Sequence, residues 1–517
     1  MERLAQQAVA LGPALRSIAA AALGAALALA QPPVSQPWVL FLALPPLLWL
    51  LQGARGGWGG AGIGWMAGAG YFLAALFWIW EPFQVDVDLH GWLAPFALFG
   101  MAGGLALFWA AAFGLARALG AAGLAGAVRL ATLMAAAEVA RSYLLTGFPW
   151  ALIGYAWVDT PVIQATALIG VQGLGFLTLL AAFALGAGLP LAGRLTVVAA
   201  AVALVAAGWG YGTQRLAQPA PERDEPYVVR IVQPNAPQHL KWQPEMQAVF
   251  YRRHLEMTAA EGPLGPPDIV VWSETAVPFV LGFADEYQAE IAAAAGGAPV
   301  VLGIMRVEFI RDDENWFNSL AIIGEGGRTK AVYDKHHLVP FGEYIPLQQT
   351  VRRLGGPTIE TLTRGGFTPG EGPHLVGAPG VPAFLPLICY EAIFARHMWA
   401  PEGRPEWIVQ VTNDAWFGTV SGPFQHYAQN RVRAIEQGLP MVRAANTGIS
   451  AVLDPLGREV VRIELGEAQF ADAELPGALP PTFYARIGER PVLIAIILFF
   501  GLTFIKFLSG FLRSPRP

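Results

Sequence analysis

Charge is what this sequence has least of. Only 14% of its 517 residues are Asp, Glu, Lys or Arg, against 54% hydrophobic, where soluble domains carry about a quarter charged. The shortage is concentrated at the front. The first 211 residues hold Glu2, Arg3, Arg16, Arg55, Glu81, Asp86, Asp88, Arg117, Arg129, Glu138, Arg141, Asp159 and Arg194 and no other charged side chain, a density that belongs in a bilayer. The net charge of −5 comes with no basic block, so the electrostatic footprint of a nucleic-acid binder is missing. Cysteine is reduced to Cys389 alone, which excludes an intrachain disulfide and leaves a thiol that is either core filler or a nucleophile. Eight histidines are scattered, with no H-E-x-x-H and no Cys/His spacing that would hold zinc. No metal and no cofactor is expected. Lysine is almost absent as well: Lys241, Lys330, Lys335 and Lys506 are the only four.

Long apolar runs fill the space that charge leaves. They cover Leu11 to Ala30, Val34 to Leu51, Gly60 to Trp80, Trp92 to Ala116, Ala121 to Val139, Val162 to Leu189 and Leu195 to Tyr211. Seven spans are expected, the second interrupted by Pro45 and Pro46. With a cytoplasmic N-terminus, the inner loops carry Arg3, Arg55, Arg117, Arg129 and Arg194, and the outer ones Arg141 with Glu81, Asp86 and Asp88. This arrangement obeys the positive-inside rule and places the chain after residue 212 on the outer face. An apolar run over Pro491 to Leu512, followed by Arg513 and Arg516, returns the chain across the membrane. Ala28-Leu29-Ala30 resembles a signal-peptidase site, but further spans follow directly and an uncleaved first span is expected. Gly57 to Gly62 matches G-x-G-x-x-G with no strand before it; close helix packing through small residues explains it better. The expected division is a transmembrane part over 1–213, a folded outer domain over 214–490, and a closing helix and tail over 491–517.

In the outer domain, short runs rich in Val, Ile and Leu recur at 227–232, 268–272, 299–304, 319–323, 384–388, 407–411, 449–453 and 459–463, with helix-like stretches at 244–261, 284–295 and 424–437. This alternation predicts an α/β or α+β fold with buried strands. Three polar positions stand at strand ends. D-I-V-V-W-S-E-T-A-V-P places Glu274 past an apolar strand, where a solvated turn acid is the plain alternative. K-A-V-Y-D-K-H-H-L-V-P-F-G-E-Y-I-P carries Lys335 and Glu343, with a surface lysine as the alternative. F-L-P-L-I-C-Y-E-A-I-F delivers Cys389 at the tip of an apolar strand, on a strand-to-helix corner where backbone N–H groups can lower a thiol's pKa and hold an oxyanion. A carboxylate in a dry site can take a thiol proton, and an ammonium beside it can stabilise a tetrahedral oxyanion. Glu, Lys and Cys together suffice for acyl transfer through a thioester.

The ordered set Glu274, Lys335, Cys389 resembles the carbon–nitrogen hydrolase (nitrilase) superfamily. The fuller strings Q-P-N-A-P-Q-H-L-K-W, W-S-E-T-A-V-P, P-F-G-E-Y-I-P, C-Y-E and T-N-D-A-W-F-G, with T-G-F-P-W in the membrane part, are similar to the membrane-bound apolipoprotein N-acyltransferases within it. The resemblance implies a multi-span helical membrane domain joined to a nitrilase-like α-β-β-α sandwich. It implies Glu274 as general base, Lys335 as oxyanion-stabilising cation, Cys389 as nucleophile and Glu343 as an acid that orients the lysine or assists proton transfer. Trp242, Tyr390, Glu391, Asn413, Trp416 and Phe417 would line the site or its lipid entrance. The implied partners are a phospholipid acyl donor, a diacylglyceryl apolipoprotein acceptor and inner-membrane lipids, with the outer domain in the periplasm of a bacterial cell. Glycine- and threonine-rich Gly355 to Gly372 is a candidate gate.

Two other readings remain open on the residues alone. A membrane-anchored amidase that hydrolyses small amides would share the triad but gives no reason for so many spans. A transporter or receptor would need charges inside its spans, and only Glu138 and Arg141 come near that condition.

Overall fold

The computed structural model of the protein describes residues 2–310, 313–346 and 366–513. Residues 355–365 of the candidate gate lie outside these limits. The chain divides into two compact units, one made of Met1–Pro219, Val420–Ala428 and Pro481–Pro517, the other of Ala220–Thr419 and Gln429–Pro480.

The first unit is helical. Each apolar run in the sequence forms a helix: Pro13–Leu27, Trp38–Gln52, Gly56–Ala75, Ala94–Ala118, Gly123–Tyr143, Thr166–Leu185, Leu191–Leu216 and, last, Arg490–Arg513. Among the described residues, five helical segments are long and apolar enough to cross a membrane, six if Gly56–Ala75 and its continuation Phe77–Gln84, bent by 49°, are taken as one. The expected seven before the outer domain therefore fall short by length. Trp38–Gln52 has 15 residues with Pro45 and Pro46 inside it, about 22 Å at 1.5 Å per residue, whereas a bilayer core takes about 20 residues. None of the apolar window of Leu191–Leu216 is buried, a surface that lipid tolerates and water does not. The glycine run read from the sequence as a helix contact is one. A Cβ on Gly60 would come within 2.9 Å of the Phe113 carbonyl, so that close approach to helix Ala94–Ala118 requires glycine.

The two charges near the end of one span neutralise each other. Arg141 and Glu138 pair at 2.8 Å with both side chains buried. Trp109 Nε1 donates to Glu138 at 3.1 Å, and Arg141 donates to the Phe148 and Trp150 carbonyls at 2.6 and 2.7 Å, folding the T-G-F-P-W turn onto the helix. Trp150 Nε1 in turn donates to Gln425 at 2.7 Å, within the 420–428 segment that clusters with this unit.

The second unit is a two-sheet sandwich. Its strands are β1 (Val228–Gln233), β2 (Ile269–Val271), β3 (Val300–Ile310), β4 (Asp313–Ile323), β5 (Thr329–Asp334), β6 (Val376–Ala378), β7 (Val381–Ile388), β8 (Trp407–Thr412), β9 (Met441–Ala445), β10 (Ser450–Leu453), β11 (Glu459–Ile463) and β12 (Gln469–Glu474). One sheet runs β12-β1-β2-β3-β4-β5 and the other β11-β10-β9-β8-β7-β6. The centre of each is parallel: β1 with β2 and β2 with β3, β7 with β8 and β8 with β9. Parallel pairs need long crossovers, and helices Pro244–Ala259, Asp285–Ala294 and Gly422–Gln437 lie on those connections. The sheets face each other, β1 against β9, β3 against β8 and β4 against β7. Buried Val270, Trp272, Val300, Leu302, Ile304 and Ile323 form a core on the first sheet. This is the α-β-β-α sandwich expected from the sequence.

Arg141→Met should leave the Glu138 carboxylate buried without its cation and free the two turn carbonyls, a loss of about 3–5 kcal/mol. Thermal unfolding in detergent measures it; an unchanged midpoint contradicts the role given to the pair.

Candidate active site

Glu274, Lys335, Cys389 and Glu343 converge in the second unit although 115 residues separate the first from the third in sequence. The parallel order of the sheets explains how. Strand β2, which precedes Glu274, is central in its sheet, and β7, which precedes Cys389, pairs in parallel with β8 in the facing sheet, next to edge strand β6; ligand-handling groups of open α/β sheets collect at the carboxyl ends of such parallel strands.

Lys335 is 1% exposed. Its Nζ donates to Glu343 Oε1 at 2.8 Å and lies 3.6 Å from Glu274 Oε1. Burial alone would push this lysine down, but Glu343, Glu274 and the Cys389 sulfur outweigh burial and hold it well above the ordinary lysine value. It is a permanent ammonium. Asn318 on β4 knits the two acids together, its Nδ2 donating to Glu274 Oε1 at 2.8 Å and to Glu343 Oε1 at 2.9 Å. The remaining carboxylate oxygens take backbone donors, Glu274 Oε2 from Asn413 N at 2.9 Å and Glu343 Oε2 from Val339 N at 2.7 Å.

Cys389 has φ +48, the left-handed region that a side chain adopts only under external constraint. Thr275, directly after Glu274, has φ +46, and Phe341, two before Glu343, has φ +65. Strain thus marks all three corners of the site. Gly303 on β3 makes room for one of them: a Cβ there would lie 2.5 Å from Glu274 Cα. Burial, with Glu274 adding to it, pushes the Cys389 thiol far up, and Lys335 and a hydrogen bond with Thr412 offset only part of this. At rest the group is a thiol. Thiolate forms here only if a base takes the proton during reaction, and Glu274 is the carboxylate whose charge the thiol feels most.

The residues assigned to lining divide into two kinds. Trp242 and Trp416 are 41% and 38% exposed and can meet a ligand. Tyr390 and Phe417 are buried. Asn413 is buried too; besides its N–H to Glu274, its side chain bonds Gln238 and Asn446 at 2.8 and 2.9 Å. Glu391 departs from its expected place most: it is fully buried and works as a brace. Its carboxylate accepts from Ile388 N at 2.8 Å, His336 N at 2.9 Å, His337 N at 3.2 Å and the Tyr333 hydroxyl at 3.0 Å, so it ties the loop after Lys335 to the strand before Cys389. Against burial, the His336 imidazole first, and then the Ile388 N–H and the Lys335 charge, hold Glu391 below the usual carboxylate value. On the other side, Gln410 donates to the Cys389 carbonyl at 3.1 Å and is itself held by Arg443, which pairs with Asp414 in a fully buried bridge. Sequence reading missed Asn318, Gln410 and Arg443.

Three histidines also come together. His336 Nε2 lies 3.0 Å from His397 Nδ1, and His397 Nε2 lies 2.9 Å from His337 Nδ1, with His336 against Glu391. Among the described residues no group of three His, Cys, Asp or Glu is placed to hold a metal ion.

The buried thiol and the lysine clamped by two carboxylates lie on a double-sheet sandwich of the carbon–nitrogen hydrolase class. Residues 229–479 match the family described as carbon-nitrogen hydrolase. Residues 23–184 match the apolipoprotein N-acyltransferase N-terminal domain, and the chain belongs to the apolipoprotein N-acyltransferase family. It is 39% identical to the apolipoprotein N-acyltransferase of Rhodopseudomonas palustris over 95% of each chain, and 41% identical to that of Bradyrhizobium diazoefficiens over 93% of each. Among solved structures it is similar to an amidase of the nitrilase superfamily from Nesterenkonia, 16% identical, TM-score 0.36, covering 54% of this chain and 99% of that one.

The histidine chain sets a pH limit on stability. Burial first, and then Arg396 and neighbouring imidazoles, hold His337 down to about 4 and His397 down to about 2, against about 6.5 in an unfolded chain. Below pH ~6.5 the unfolded chain therefore binds more protons than the folded one. This share of stability is fully present above that value and drains away as pH falls toward 4. The unfolding midpoint should drop between pH 7 and 5, and His397→Gln should make that slope shallower; an identical slope contradicts the assignment.

Proposed function

We propose that this protein transfers a fatty acyl chain from a phospholipid, the sn-1 chain of phosphatidylethanolamine, to the N-terminal α-amino group of diacylglyceryl-cysteine on apolipoproteins. This is the final acylation of bacterial lipoproteins. The observation that carries the reading is the pairing of family membership over nearly the whole chain with a buried thiol, carboxylate and permanent ammonium in contact range. In this reading residues 1–213 and 491–517 anchor the enzyme in the inner membrane, and 214–490 work on its periplasmic side.

The reaction is ping-pong. Glu274 takes the Cys389 proton as Sγ attacks the ester carbonyl, and the Lys335 ammonium stabilises the oxyanion. Collapse breaks the ester C–O bond, Glu274 returns its proton to the departing alkoxide, and lysophospholipid leaves a thioester on Cys389. The lipoprotein amine then attacks the thioester, Glu274 accepts a proton from the nitrogen, and collapse to the amide breaks the C–S bond and restores the thiol. Glu343 holds Lys335 in place throughout. Half-exposed Trp242 and Trp416 are apolar surfaces for acyl chains. Membrane anchoring raises the effective concentration of both lipidic substrates, and an apolar entrance keeps water from the thioester.

Incubated with phosphatidylethanolamine and a diacylglyceryl-cysteine peptide, the detergent-solubilised protein should yield N-acylated peptide by mass spectrometry. Cys389→Ala and Glu274→Gln should each lower the yield on the order of a thousandfold with little change in unfolding midpoint. Conversion by Cys389→Ala at the parental rate, or release of ammonia from small amides with no N-acylation, contradicts the proposal.

A further inference from the structure

One buried cation beside the site has no part in the chemistry above. Lys241, in the short helix Gln238–Lys241, is 7% exposed, and its Nζ donates to the backbone carbonyl of Glu274 at 3.3 Å. Next to it lies a cavity lined by Lys241, Trp242, His254, Ser273 and Asn446, among others, with about 10 Å³ for the centres of water-sized spheres. That is the space of about one water molecule.

Two buried polar atoms of this lining lack a hydrogen-bond partner: Nε2 of His254 and Oγ of Ser273, in residues 1% and 0% exposed. Each such orphan costs about 1–3 kcal/mol unless something satisfies it. Their chemistry selects the occupant. His254 Nδ1 faces the Phe250 carbonyl at 2.9 Å, so Nδ1 carries the proton. Burial holds the imidazole down to about 3, so the ring is neutral and Nε2 is a bare acceptor. An anion would set its own lone pairs against that acceptor. Water can donate to His254, accept from Lys241 and do either with Ser273.

Glu274 itself needs holding. Thr275 after it is in the left-handed region, and the Glu274 Cα packs so closely on β3 that only glycine fits at 303, so a tie on its carbonyl governs where the carboxylate points. Burial lowers Lys241 to about 8, and the Glu274 carboxylate offsets part of that lowering. The other groups facing Glu274 are Lys335, Asn318 and the Asn413 N–H; those acting on His254 behind Lys241 include Arg253 and the Phe250 carbonyl.

We propose that Lys241 is a positioning residue for the general base: through the Glu274 carbonyl and a water shared with His254 and Ser273 it fixes the Glu274 backbone and so the direction of the carboxylate. The inference rests on Glu274 being the base.

Cys389 is the only cysteine in the chain, so its alkylation by iodoacetamide reports the thiol with no phospholipid present. Glu274→Gln should lower the rate about a hundredfold; a rate unchanged by Glu274→Gln overturns the base assignment before Lys241 is judged. Lys241→Met should lower the rate about tenfold in the parent protein and no further in the Glu274→Gln background, and Lys241→Arg, which keeps a donor for the carbonyl, should restore it. If Lys241→Met does not fold, Lys241→Gln also keeps a donor and should retain most of the parental rate. A parental rate in Lys241→Met, an equal loss in the Glu274→Gln background, or a loss that Lys241→Arg does not restore overturns the proposal. Normal alkylation behaviour in a protein that transfers no acyl chain would contradict the acyltransfer reading alone.

Discussion

A single ammonium held dry between two carboxylates governs this site. Removing Lys335 from water costs several kcal/mol that only close partners return, and Glu343 at 2.8 Å with Glu274 at 3.6 Å supply the return. Two acids and one base leave a net negative charge beneath the thiol. Asn318, Val339 N and Asn413 N spread that charge over three donors, charge-assisted bonds of the stronger kind. Burial first, and this negative charge with it, holds Cys389, the only thiol in the chain, in its protonated form.

Holding that cluster takes support from both sheets. Glu391 fastens the loop after Lys335 to the end of β7, and the Arg443–Asp414 pair with Gln410 fixes the Cys389 carbonyl from β8 and β9. These are buried, fully committed polar groups, which specify one arrangement at a cost in intrinsic stability. Left-handed backbone at Cys389, Thr275 and Phe341 is maintained by them. Strain of this kind persists only where surroundings over-determine it.

The sequence made Glu274 and Cys389 visible because apolar strands point directly at them, whereas Lys335, which follows the polar β5, stood out because lysine is so scarce. It also announced the sandwich through eight apolar runs. The four strands that escaped were β5, β6, β9 and β12. Three of these are sheet edges, where polar and charged residues blunt the apolar pattern, and β9 hides Arg443 inside a buried run. Asn318 was illegible for a different reason. One asparagine in β4 carries no signal until register sets it beside Lys335, whose N–H reaches the Asn318 carbonyl at 2.9 Å. Glu391 was seen but misplaced, since adjacency to Cys389 does not reveal which way a side chain turns. In the helical unit, composition located each long apolar helix but not the short ones at Glu2–Ala10 and Phe483–Ile487, and only the geometry shows that Trp38–Gln52 is short for a bilayer.

The most direct test of the account is the covalent state of Cys389. Protein incubated with phosphatidylethanolamine and no amine acceptor should carry a hydroxylamine-labile acyl mass on the Cys389 peptide, stable to water and discharged by a diacylglyceryl-cysteine peptide. An unmodified Cys389 in protein that still N-acylates the peptide would contradict the thioester and the thiol-centred reading of this site.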